Sequence, residues 1–261
     1  MTLWHWLRPY ISLFVRFMRI SFLEAKSEYY GTRLGLLWLP TSTLIFTAML
    51  ALVFRHSDSM PIQEFFLYVL SGYVLWLFIQ DSINGSTDVI QKRLEFAIHN
   101  NLSLAGLFGK LLVDRLFMFS LNLILLVAAV VVLAPQLIGL NLFAFIPFLI
   151  IVTATSLAVA YIVNLTTVAF PDLATLIRTG TRFVFFASPI FWTPADDGMG
   201  IRQVLVTYNP VSYFLGMIRQ CFGLEAFSAL TWGISLSMGG LLCLVGWIAF
   251  SRSESMIRNI K

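Results

Sequence analysis

Long apolar stretches alternate with short polar ones along almost the whole chain. Residues 34–54 carry no charged side chain, and about 20 residues is the length an α-helix needs to cross the roughly 30 Å hydrocarbon core of a bilayer. In lipid every backbone N–H and C=O has to be bonded within the segment, so such a run is helical. Comparable apolar runs cover residues 65–83, 111–133, 142–169, 173–192 and 230–250. The pattern predicts an all-α integral membrane protein with six transmembrane helices in a single domain over residues 1–261.

The segments between the spans have patterns of their own. Over residues 8–30, Arg8, Arg16, Arg19 and Lys26 fall on one arc of a helix, with Leu7, Ile11, Phe14, Met18, Phe22 and Ala25 on the adjoining arc. This spacing predicts an amphipathic helix in the membrane interface, its cations toward anionic headgroups. Arg16, Arg19 and Glu24 interrupt any signal-peptide core. Residues 88–101 read as a short polar helix bearing Lys92, Arg93 and Glu95, opened by Asp88-x-x-Gln91 as a loose capping box and closed by Asn100-Asn101 as a left-handed stop. Pro147 is expected to kink the fourth span, and Pro189 and Pro194 to break the end of the fifth. Residues 195–227 are too polar for a span and too apolar for a solvated loop, which predicts a re-entrant or interfacial helical pair.

Composition agrees with the pattern: 59% of the 261 residues are hydrophobic and 11% are charged, far below the ~25% charge of a soluble domain. With the N-terminus inside, all of the 17 cations except Arg55, Arg202 and Arg219 sit on or near the inner side, which puts both termini in the cytoplasm. The cations form no single basic stripe, so no nucleic-acid partner is expected. His5, His56 and His99 are scattered without metal-ligand spacing, and Cys221 and Cys243 suggest no disulfide framework. The stretch LAGLFGKL at residues 104–111 lacks the first glycine and the final Ser/Thr of a phosphate loop and reads as the start of a helix. No catalytic triad or metal cluster is visible, so work against a gradient needs energy from a partner.

Tyr30-x-x-Arg33-x-Gly35-x-x-Trp38-x-Pro40 resembles the lead-in to the first span in permease subunits of type-two ATP-binding-cassette exporters. The branch it resembles most exports bacterial capsule, O-antigen and teichoic-acid polysaccharides. Leu70-Ser71-Gly72, Phe170-Pro171-Asp172, Ser188-Pro189-Ile190, Asn209-Pro210 and Arg219 follow in the same order, from Arg33 to about Arg219. The chain departs from the pattern at Asn101-Leu102-Ser103-Leu104, where relatives often carry a proline.

The resemblance implies a homodimer in the bacterial inner membrane, carrying two copies of a cytoplasmic ATP-binding subunit that supplies ATP and Mg. This chain itself would bind no cofactor and would not be an enzyme. The helix at 88–101 would be the coupling helix, with Lys92, Arg93 and Glu95 toward the ATPase, and residues 195–227 would be outward gate helices. The cargo implied is a lipid-linked polysaccharide. An exporter of a drug or small lipid is the alternative within the family. A self-contained channel or intramembrane enzyme is the alternative outside it, with Asp81, Asp114, Arg178 and Arg182 as the nearest candidate groups. Arg178 and Arg182 share one helix face. They serve either as snorkelling anchors or as the mouth of a path for a phosphate-bearing cargo. Arg33, Trp38, Phe183 and Phe186 complete the candidate path, Trp38 facing the two phenylalanines, since aromatic faces stack on sugar rings with few directional demands.

Overall fold

A computed structural model describes residues 3–55, 60–100, 102–193 and 200–258. These form α1 (Leu3–Glu28), α2 (Trp38–Phe54), α3 (Ile62–Asn84), α4 (Val89–His99), α5 (Leu104–Leu133), α6 (Phe145–Ala169), α7 (Leu173–Ala187), α8 (Ile201–Tyr208), α9 (Pro210–Cys221) and α10 (Ala229–Arg258). No strand occurs among the described residues. Positions 56–59 of the first loop, Asn101, Pro194 with the first part of the 195–227 segment, and residues 259–261 lie outside them.

Five segments are long and apolar enough to cross a membrane: Gly35–Phe54, Ile62–Asn84, Leu104–Leu133, Leu140–Ala169 and Ala229–Ser253. The axis of the bundle is α3. Its apolar window is 61% buried against 17–22% for the other four. Leu67, Val69, Leu70, Val74 and Leu75 are fully enclosed by α2, α5, α6, α7 and α9. Ser82 of α3 binds inward to Ser156 of α6 at 2.6 Å. Small residues bring α10 close to α6: a Cβ on Gly239 would lie 2.6 Å from Thr155 Oγ1, and one on Gly246 3.1 Å from Ala158 Cβ.

The third span extends seven residues ahead of its apolar run, beginning at Leu104, where LAGLFGKL reads as the start of a helix. Ser103 sets the start, its Oγ accepting from Gly106 N at 3.1 Å, and Lys110, Asp114 and Arg115 then stay helical because each finds a partner. Pro147 produces no kink where one is expected. It falls in the first turn of α6, where a missing N–H breaks no bond. Neither expected cap of α4 forms: Asp88 makes no side-chain cap, and Asn100 has φ −95, outside the left-handed region.

The fifth apolar run is helical only from Leu173 to Ala187. Ser188 is extended (φ −92, ψ 142), as the residue before a proline is driven to be. Helix and following turn together run antiparallel beside α3. Arg178 bonds Thr87 and Thr181 bonds Asn84 at one end, Phe185 packs on Trp76 in the middle, and Tyr68 donates to the Trp192 carbonyl at the other. The same proline effect separates α8 from α9: Asn209 is extended before Pro210 and caps α9 through Val211 N. The two helices form a hairpin. Its tip contacts Ala187 and Ser188, and its far end returns to Gly223, whose positive φ lets the backbone approach the Leu137 carbonyl.

On α1, the arc that packs on α5 is Phe17, Ser21 and Ala25, while Ile11, Phe14 and Phe22 of the expected apolar arc are exposed. The cations Arg16, Arg19 and Lys26 are exposed on the remaining face.

Candidate functional site

Two polar centres stand out, one at each end of α3. The first is organised by the turn between α3 and α4. Lys110 of α5, 1% exposed, donates to Glu24 of α1 at 2.8 Å and to Asp114. Asp114 also accepts from Ser21 of α1 at 2.6 Å and from Arg93 of α4 at 3.3 Å. Arg115 donates to Ser86 at 2.7 Å and reaches Asp81 at 3.5 Å. Asn164 of α6 donates to the Ser86 carbonyl and to Gln91. A buried charge is tolerated only when it is paired and hydrogen-bonded, and here the pairing ties α1, α3, α4 and α5 together.

The same turn reaches α7. Arg178 donates to Thr87 Oγ at 2.7 Å and to Asp88 at 2.9 Å, and Asp88 also holds Lys92 at 2.7 Å. Partial burial alone would raise the Asp88 carboxyl, but Lys92 and Arg178 together outweigh it and hold the carboxyl below its ordinary range. Asp88, expected as a helix cap, is instead the joint between α4 and α7.

The expected docking residues Lys92, Arg93 and Glu95 are all exposed on α4, and Arg93 also reaches Asp114 at 3.3 Å. Sequence reasoning missed Ile98, 64% exposed on this polar helix. An apolar residue among charges is the signal that could have found it. The expected path residues do not converge. Arg33 is exposed in the turn before α2, Arg178 is engaged with α4, and Arg182, Phe183 and Phe186 are exposed on one side of α7. Arg182 has no hydrogen bond or ion pair among the described residues. Trp38 does not face Phe183 and Phe186. It begins α2 at the α4 end of the bundle, and Phe54, at the opposite end of α2, meets the α7 turn through Phe191 at 4.5 Å.

The second centre is Arg219 of α9, 1% exposed. Its Nη2 donates to the Pro189 carbonyl at 2.5 Å, its Nη1 to Glu225 at 3.3 Å, and its guanidinium lies 3.4 Å from the centre of the Tyr68 ring. Gly72 leaves room for it: a Cβ there would sit 2.9 Å from Nη2. Asn209 completes the centre by donating to Ser188 Oγ at 2.8 Å and to the Ala187 carbonyl. Gly72, Ser188-Pro189-Ile190, Asn209 and Arg219, scattered over some 150 positions of sequence, thus form one contact unit that secures the non-helical turn after α7.

An all-helical bundle with five span-length helices, and with its buried charges paired at the ends of the central one, is a multi-pass membrane protein. Compared with known proteins, the chain is 26% identical over 198 residues to the O-antigen export system permease protein RfbA of Myxococcus xanthus, an alignment covering 72% of each chain. No family model matches the chain.

Proposed function

We propose that this chain is the membrane subunit of an ATP-driven exporter that moves a lipid-linked polysaccharide, such as an O-antigen or capsule, across the bacterial inner membrane. The similarity to an O-antigen export permease carries the reading, and the meeting of Gly72, Pro189, Asn209 and Arg219 in one buried centre supports it. In this proposal two copies form the path, both termini are cytoplasmic, and two ATP-binding subunits supply ATP and Mg. The segment from α7 through residue 192 is the sixth crossing; its run beside α3 from Asn84 to Tyr68 supports this. The α8–α9 hairpin is the outward gate, α1 lies in the interface, and α4 is the coupling helix with Lys92, Glu95 and Ile98 toward the ATPase. Exposed Arg182, Phe183 and Phe186 line the path between the two copies.

Purified alone, the chain hydrolyses no ATP; co-purified with its ATP-binding subunit, the complex does. Ile98→Glu weakens that co-purification about tenfold or more without affecting insertion, since burying an unpaired carboxylate at an interface costs several kcal/mol. Robust hydrolysis by the chain alone, or an unaffected Ile98→Glu complex, overturns the coupling assignment. Arg182→Ala and Phe186→Ala each lower polysaccharide export in cells at normal expression. Normal export by both variants places the path elsewhere.

A further inference from the structure

A cavity of about 590 Å³ lies between α1, the start of α2, α3 and α5, with Arg93 of α4 on its wall. It is far too large for a bare ion and falls within the range of ligand pockets. The charged groups facing it are Glu24, Glu28, Asp81 and Asp114 against Arg93 and Arg115. Asp114 is saturated by Lys110, Ser21 and Arg93, and Glu24 holds Lys110. The other two carboxylates lack a close protein partner. Glu28 has no partner among the described residues, and Asp81, with 58% of its side chain exposed, has only the 3.5 Å contact to Arg115. On α5, eight residues beyond Asp114 and about 12 Å further along the helix, Asn122 lines the same cavity. It is 7% exposed; its Nδ2 donates to the Met118 carbonyl at 3.3 Å, and its Oδ1 has no hydrogen-bond partner. An amide oxygen buried this deeply and left unpaired is costly.

The unmet groups are therefore acceptors, and they share the cavity with an apolar wall of Leu77, Phe78, Met118 and Phe119. A group with several N–H donors and a positive charge answers the first feature; a hydrocarbon tail answers the second. A primary ammonium has three donors. A quaternary ammonium has none and would leave Asp81 and Glu28 as they are. The side chain of Arg93 is 46% exposed with a single 3.3 Å bond to Asp114, which leaves guanidinium donors for a phosphate beside the ammonium. We infer that this cavity is a binding site for the headgroup of an aminophospholipid, its ammonium toward Asp81 and Glu28 and its phosphate toward Arg93. The site does not depend on the identity of the exported cargo.

The test uses the purified full chain, stripped of lipid in detergent. Thermal unfolding and native mass spectrometry follow its titration with phosphatidylethanolamine, phosphatidylcholine, phosphatidylglycerol or free ethanolamine. Phosphatidylethanolamine raises Tm by several degrees and binds at least tenfold tighter than the other two lipids. Glu28→Gln, at an exposed position, keeps the lipid-free Tm and weakens that binding about tenfold, the worth of one charge-assisted hydrogen bond. Asp81→Asn removes most of the remaining preference. Equal binding of phosphatidylcholine, a preference for phosphatidylglycerol, or an unchanged preference in Glu28→Gln and Asp81→Asn together overturns the site. Equal stabilisation by free ethanolamine supports the ammonium pocket and overturns its lipid source.

Discussion

Arg219→Ala lowers the stability of the purified protein by about 3–5 kcal/mol, the largest loss expected from any single side chain outside the apolar core. The guanidinium is 1% exposed, so nothing from solvent replaces it. Its removal leaves the Pro189 carbonyl unbonded, at about 1–3 kcal/mol for a buried polar group. The contact over the Tyr68 ring is lost as well, at about 2 kcal/mol when desolvated. Glu225 suffers less, since its side chain is 36% exposed and water can reach it. Arg219→Lys is intermediate: it keeps the charge but cannot bond Pro189 and Glu225 together with one planar fork. Gly72→Ala acts on the same centre from the other side, because its methyl would press on the guanidinium, and costs about 1–3 kcal/mol. Denaturant or thermal unfolding in detergent measures all three. An Arg219→Ala protein within about 1 kcal/mol of the unmodified chain would mean that the turn after α7 is secured by other contacts.

Breaking the contact between Arg178 and Asp88 has the opposite profile, with little effect on stability and a large one on coupling. The pair is partly solvated, with side chains 48% and 28% exposed, and pairs of this kind contribute about 0–1 kcal/mol. Mechanically it joins α4, the proposed site of ATPase docking, to α7, the proposed wall of the path. Arg178→Ala is expected to leave ATP hydrolysis by the complex near normal while export falls about tenfold or more, a transport-to-hydrolysis ratio that reconstituted vesicles measure directly. Arg178→Lys recovers part of the loss, since an ammonium keeps the charge but lacks the planar fork that holds Asp88 and Thr87 together. The contact is insensitive to pH between about 5 and 8. The Asp88 carboxyl is held below its ordinary range, so the pair's contribution is complete above that range and is lost only as pH falls through the depressed value. Equal loss of hydrolysis and export in Arg178→Ala would assign the residue to assembly instead of transmission.

Features decided by a residue and its immediate neighbours were legible in the sequence. Hydrophobic length located the five long helices, and Pro189 marked where the fifth run had to break. Features decided by packing were not. The charges at the start of α5, Lys110, Asp114 and Arg115, had no visible reason, because their partners, Glu24, Ser21, Ser86 and Asp81, lie on α1 and around the end of α3. Trp38 and Phe186 share an aromatic character that suggested one surface, but a helix starting at one end of the bundle cannot place its first residue beside the last turns of α7. The motif glycine Gly72 stood without a reason until Arg219 was found against it. The reason was a side chain 147 positions away, which no local pattern encodes.

The 15 residues of α7 make a rod of about 22 Å, while the hydrocarbon core is about 30 Å thick. In the proposed sixth crossing, what completes the distance is an elbow, held by Asn209 and Arg219 rather than by the helical ladder. A thrust applied at the Arg178 end therefore travels along the rod only as far as Ser188. In the proposed exporter the elbow would turn it sideways into the hairpin, so that axial movement on the ATPase side emerges as lateral opening near the other.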